Sequence, residues 1–159
     1  MRGFWSRRIR VKTMETVQEV AKFLTTLCCG LFAGAAIYVN LVEHPARMQC
    51  GWELAATEFG PSYRRATVMQ ASLAATGFVC SIAAWLSGGG IWWLIGGTLL
   101  GSVIPFTFLI IMRVNKQLLD PTLDKGSAKA QEQLSRWGKL HAVRSSLSGI
   151  ALVIFLLSG

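Results

Sequence analysis

The sequence predicts an all-α fold: an integral membrane four-helix bundle with up-down-up-down topology. Three observations carry this. Hydrophobic residues make up 52% of the 159 and charged residues only 15%, where a soluble domain carries about a quarter charged. The apolar residues are gathered into blocks rather than spread with a helical or strand period. Four such blocks can be read, and a spanning helix needs about 20 mostly apolar residues.

The blocks follow in order. The first covers 20–42 and holds a G-x-x-x-G at Gly30 and Gly34; the second covers 67–86; the third covers 91–112 and holds Gly97 and Gly101 at the same spacing. The fourth begins near 142 and runs to 159, short for a full span, so its helix is expected to start earlier, in the polar stretch from 128 onward. Between the second and third blocks stand only Ser87 and three glycines, Gly88 to Gly90, which predicts a tight antiparallel hairpin. The stretches 43–65 and 113–144 read as long polar connections. Four antiparallel spans then have few compact arrangements other than an up-and-down bundle, and the two G-x-x-x-G motifs allow close backbone approach. Pro105 falls within block three and predicts a kink, because the carbonyl four residues earlier loses its donor.

One domain is expected at this length, with a basic tail over 1–16 and the four-span domain over 17–159. The tail carries Arg2, Arg7, Arg8, Arg10 and Lys12, with no acid before Glu15. A cytoplasmic positive-inside anchor, a mitochondrial-type presequence and an extension upstream of a start at Met14 all fit it. Both sides of the bundle are basic, so the positive-inside rule gives no orientation. The net charge of +8 is distributed over the tail and the connections, where lipid headgroups account for it. With no recognition motif in the chain, nucleic acid is rejected as a partner. The cysteines, Cys28, Cys29, Cys50 and Cys80, form no C-x-x-C, which speaks against a thiol oxidoreductase and a zinc site and leaves them as small hydrophobes.

The candidate site follows from topology. In an alternating bundle the end of span one, the start of span two, the end of span three and the start of span four share one side. That side collects Asn40, Glu43 and His44; Arg64, Arg65 and Gln70; Arg113 and Asn115; and Trp137, His141 and Arg144. Both histidines of the chain are there. Trp137, His141 and Arg144 stand at i, i+4 and i+7, on one helical face. Asn40 and His44 are also four apart, with Glu43 beside His44. Snorkelling, an aromatic belt and a stabilising ion pair would account for these residues singly. Ionisable groups near bilayer depth are costly and usually face the bundle interior or water. We therefore expect a pocket with His141, His44, Glu43 and Arg144 in catalytic roles and Trp137, Asn40, Asn115 and Gln70 binding the substrate.

A neutral imidazole can act as a base near pH 7, an arginine favours an enolate oxygen, and tryptophan with apolar walls holds a flat hydrophobic molecule. The chain has no nucleotide loop, flavin fingerprint, nucleophile elbow or metal-ligand cluster, so its chemistry would rest on acid–base residues or on a captured cofactor.

Four apolar blocks, "EHPA" at 43–46, "MRVNKQLLDP" at 112–121 and "WGKLHAVR" at 137–144 together resemble the anthrone oxygenase-like family of small four-span membrane proteins. The resemblance covers nearly the whole chain after the tail. It implies a cofactor-independent monooxygenase that oxidises a polyaromatic anthrone to an anthraquinone. His141 or His44 would remove a proton from the activated carbon, Trp137 would stack on the rings, and Arg144 would hold the phenolate-like oxygen. Beside this stand a non-catalytic membrane protein (ligand binder, assembly factor or complex subunit) and a haem protein with His44 and His141 as axial ligands. The expected partners are the lipid bilayer and a hydrophobic small molecule, and glycine faces are compatible with a homo-oligomer. A transporter is disfavoured, because four spans without a clear inverted repeat would have to oligomerise.

Overall fold

The computed structural model describes the backbone from Arg2 to Gly159 and the side chains from Lys12 onward; the side chains of the basic tail up to position 11 lie outside the described residues. No strand occurs among the described residues. α1 (Arg2–Tyr38) runs on through a π-helical turn, Val39–Glu43, into α2 (His44–Gln49). α3 (Trp52–Ala84) leads through a second π-helical turn, Trp85–Gly89, to α4 (Ile91–Phe106). A third, Thr107–Ile111, joins α4 to α5 (Met112–Leu118), and a loop leads to α6 (Ala128–Leu157). The four continuous segments, Lys12–Gln49, Trp52–Gly89, Ile91–Leu118 and Ala128–Leu157, are each long and apolar enough to cross a membrane. Around the bundle α1 packs on α3, α3 on α4, α4 on α6 and α6 back on α1. The protein is an integral membrane four-helix bundle. Large apolar side chains such as Leu41, Val68 and Leu109 point outward, as a lipid-facing surface requires.

Two expectations about the connections need correcting. The stretch 43–65 is helical except for a turn at Cys50 and Gly51, where Gly51 takes φ +103° and lets the chain reverse. Glu53 lies in the first turn of α3, where a carboxylate meets the positive end of the helix dipole. Only 119–127 of the stretch 113–144 is non-helical, and α6 starts at Ala128, within the polar stretch where its beginning was expected. There Asp120 accepts from the Thr122 N–H at 2.9 Å and hydroxyl at 2.7 Å, which holds its carboxyl below the usual range. Ser127 caps α6, its hydroxyl accepting from the Ala130 N–H at 3.2 Å. With 30 residues α6 is about 45 Å long, so it projects well beyond the hydrocarbon. Polar sequence near a headgroup region is compatible with helix, and hydropathy blocks alone do not show that.

A proline sets one of the widened turns, and another follows a proline. Pro45 has no N–H for the carbonyl four residues back; the helix loosens just ahead of it, and the His44 N–H donates to the Val39 carbonyl, five residues away. Pro105 lies in α4, and past it the Met112 N–H donates to the Thr107 carbonyl with the same five-residue spacing. Such widened turns re-aim the side chains that follow.

The hairpin end is sealed by glycine. A Cβ built on Gly97 would lie 1.8 Å from the Ser81 hydroxyl, one on Gly101 2.8 Å from the Phe78 ring, and one on Gly96 2.6 Å from Phe155. α4 thus needs these glycines to meet α3 and α6, and the Trp93 and Phe155 rings stack at 5.2 Å beside them. The other G-x-x-x-G behaves differently. A Cβ on Gly30 would make only an ordinary contact with Leu152, and one on Gly34 would meet nothing within 4 Å. That motif does not bring helices together within the chain.

Candidate functional site

At the opposite end the same helices stand apart and leave a cavity of about 90 Å³, partly open at its mouth. Phe32, Ala74 and Val103 line its deep end. Phe59, Tyr63, Thr107, Phe108, Ile111 and Met112 form its sides, and Arg47, Ser62 and Asn115 stand toward the polar helix ends. Trp137, His141 and Arg144 on α6, with Gln70 on α3, complete the wall. The i, i+4, i+7 stripe therefore faces the cavity along its whole length.

His141 is 2% exposed, and its ring lies 4.7 Å from that of Trp137. Its Nδ1 is 2.7 Å from the Asn40 side-chain oxygen. The orientation of that amide follows from its own partners. The Asn40 nitrogen donates to the Gly138 carbonyl at 3.0 Å, so its oxygen is the acceptor toward His141. A second donor, the Ser145 hydroxyl, reaches the same oxygen at 2.5 Å. The proton of a neutral His141 therefore sits on Nδ1, and Nε2 keeps its lone pair. Nε2 has no hydrogen-bond partner among the described residues.

Arg144, one turn deeper, donates to the Gln70 side-chain oxygen at 2.7 Å, and its guanidinium lies 5.4 Å from the centre of the Phe32 ring. Its Nε is closed from solvent without a hydrogen-bond partner. No carboxylate pairs with it among the described residues. A cation at this depth with only an amide and a ring beside it is well placed to meet a negative oxygen on a bound molecule.

Glu43 and His44 take other positions. Glu43 accepts from Arg47, one turn on, and from the Ser62 hydroxyl at 3.4 Å, while Arg47 Nε is 3.5 Å from Glu58. This cluster fastens α2 to α3. The His44 ring faces Trp137 at 5.3 Å and presses on the backbone of α6, where a Cβ on Gly138 would come within 2.6 Å of Nε2. Neither residue is part of the cavity wall. Trp137 thus contacts both imidazoles, which leaves no room for a porphyrin between them; the residues present do not fit the haem alternative. Among the described residues no three His, Cys, Asp or Glu side chains could hold a metal ion. The four cysteines are free thiols, with Cys28 and Cys29 buried.

Of the expected site residues, His141, Arg144, Trp137, Gln70 and Asn115 share the cavity, and Asn40 meets His141 from outside it. Three participants escaped sequence reading. Arg47 is buried on the wall, Ser145 braces Asn40, and Gly138 supplies both the carbonyl that orients Asn40 and the gap that admits His44. Ser145 stands four residues after His141, on the same face, and that spacing was the available signal.

The anthrone oxygenase family model matches residues 59–154. The match includes Gln70, Asn115, Trp137, His141 and Arg144. It starts after Asn40 and the EHPA element, so it is narrower than the resemblance read from the sequence. Neither the curated proteins nor the solved structures contain a match. The chain belongs to the anthrone oxygenase family.

Proposed function

We propose that this membrane protein is a cofactor-independent oxygenase that converts the activated methylene of a flat hydrophobic, anthrone-like substrate to a ketone. One observation carries the reading: Asn40 fixes His141 in the tautomer whose unpartnered Nε2 keeps its lone pair, on the wall of an aromatic-lined cavity. Nε2 takes a proton from the methylene carbon, and the electron pair spreads onto the ring oxygen, which the Arg144 guanidinium stabilises. The carbanion carbon bonds to dioxygen by electron transfer and recombination. The resulting peroxide takes the proton back from the imidazolium. Loss of the second methylene hydrogen together with hydroxide breaks the O–O bond and leaves the quinone carbonyl. Overall, anthrone and dioxygen give anthraquinone and water. Trp137 supplies a flat face for the rings, and Gln70 holds the guanidinium in place.

The test is a visible absorption spectrum of the detergent-purified protein, followed by dioxygen uptake with added anthrone, measured above the protein-free rate. A colourless protein with substrate-dependent uptake, lost in His141→Ala while the fold persists, is the expected result. A Soret band, or full uptake in the variant, overturns the mechanism. A colourless and inert wild type leaves the cavity as the site of a ligand-binding or structural protein.

A further inference from the structure

The seam between α3 and the α4–α5 segment is closed at both ends and open between them. Toward the hairpin, Phe78 and Ser81 of α3 sit so close to Gly101 and Gly97 that a Cβ would not fit. Toward the polar end, the Tyr63 hydroxyl donates to the Met112 sulfur at 3.7 Å, and Phe59 stacks on Tyr63 at 5.7 Å. Tyr63, Thr67, Ala71 and Phe78 stand at i, i+4, i+8 and i+15, on one face of α3. The face that meets its neighbour at both ends therefore carries Thr67 and Ala71 between them. Both line the cavity, and Phe108 lines it from the π-helical turn across the seam. Among the described residues of the lining only these three are exposed; the others are buried or half-buried. The mouth of the cavity lies where they are.

Depth decides what this mouth faces. Arg64, Arg65 and Arg113 are exposed on the same two segments and belong at the headgroups. Ala71 lies six residues beyond Arg65, and Phe108 lies five before Arg113. At helical rise these positions are about 9 and 7 Å farther in, next to the outward-pointing Val68 and Leu109. The mouth thus opens onto hydrocarbon. On the headgroup side the helix ends are tied together, Arg47 to Glu43 and Glu58, and Ser62 to Glu43.

We propose that the cavity is loaded and emptied sideways from the bilayer, through a portal between Thr67 and Ala71 on α3 and Phe108 on the widened turn. Such a route admits molecules that dissolve in hydrocarbon and carry no fixed charge. This rests on the reading of the cavity as the ligand site and adds the path by which the ligand arrives.

The experiment uses anthraquinone, which binds without turnover. Protein in phosphatidylcholine nanodiscs is mixed rapidly with it, and quenching of tryptophan fluorescence is followed in time. The phase that is absent in Trp137→Phe belongs to the cavity. Dissociation is read by mixing loaded discs with an excess of empty vesicles. Ala71→Phe narrows the portal without adding a tryptophan. Association and dissociation are both expected to slow by roughly tenfold, with Kd within about twofold of wild type, because a doorway is passed in both directions. Phe108→Ala widens the portal and should speed both rates by roughly threefold, again at constant Kd. Unchanged rates in Ala71→Phe overturn the proposal. So does a change confined to one rate, which marks a residue of the binding wall. If Ala71→Phe does not fold, Phe108→Ala decides by the same criterion. A wild type without the cavity phase overturns the portal and the substrate reading together. Dioxygen uptake plays no part in these measurements. Paired rate changes in a protein inert toward anthrone sink the oxygenase reading and leave the portal, whereas normal turnover with unchanged rates sinks the portal alone.

Discussion

At the hairpin end, α4 reaches α3 and α6 through glycines that leave no room for a Cβ, and rings stack beside them. At the polar end the same helices are loosened by prolines and π-helical turns, held by hydrogen bonds between side chains, and separated by a cavity. Close glycine packing gives up any space for a ligand in exchange for dispersion contacts. The polar end keeps the space and joins its helices through directional bonds beside an apolar cluster around Phe59, Leu134 and Trp137. One end of the bundle is thus closed by glycine packing, and the other keeps a cavity.

Substitutions can break that division, and we order them by the size of the expected effect. His141→Ala removes the base and should lower anthrone-dependent dioxygen uptake by roughly 10²- to 10⁴-fold, with the helical signal retained; a variant as active as wild type would end the assignment. Asn40→Leu keeps the bulk but releases the imidazole, and a drop in kcat of about 100-fold with little change in KM is expected. Asn40→Asp, which retains an acceptor, should recover part of it in the same steady-state assay. Gly97→Val belongs to the other end. It should cost about 1–3 kcal/mol by overpacking against Ser81, read as a lower thermal midpoint in detergent, while turnover per folded molecule is unchanged. Gly34→Ala tests the motif that meets nothing. Its stability should stay within about 0.5 kcal/mol of wild type, and a large loss would show that this face is covered in the membrane by another chain.

The spans and their alternation were legible because hydrocarbon demands long apolar runs, and the stripe of Trp137, His141 and Arg144 was legible because spacing within one helix decides a shared face. What lay between helices was not. Asn40 and His44 are four residues apart and both reach Gly138 on α6, yet only Asn40 bonds to the far imidazole, while His44 packs against Trp137. The value of a G-x-x-x-G was equally hidden: Gly97 and Gly101 face bulky partners on α3, whereas Gly34 faces open space. Register between helices is a property of packing, and a single chain's pattern does not encode it locally.

The bonds from Asn40 to Gly138, His141 and Ser145 join positions separated by 98, 101 and 105 residues. A ribosome adds about 5–20 residues each second, so α1 is complete many seconds before its partner on α6 is made. Through that interval the Asn40 amide has neither the imidazole nor the carbonyl that later satisfy it. The order of biosynthesis therefore delays assembly of this cluster until α6 has been made, and a chain stalled before α6 would hold three spans and lack His141.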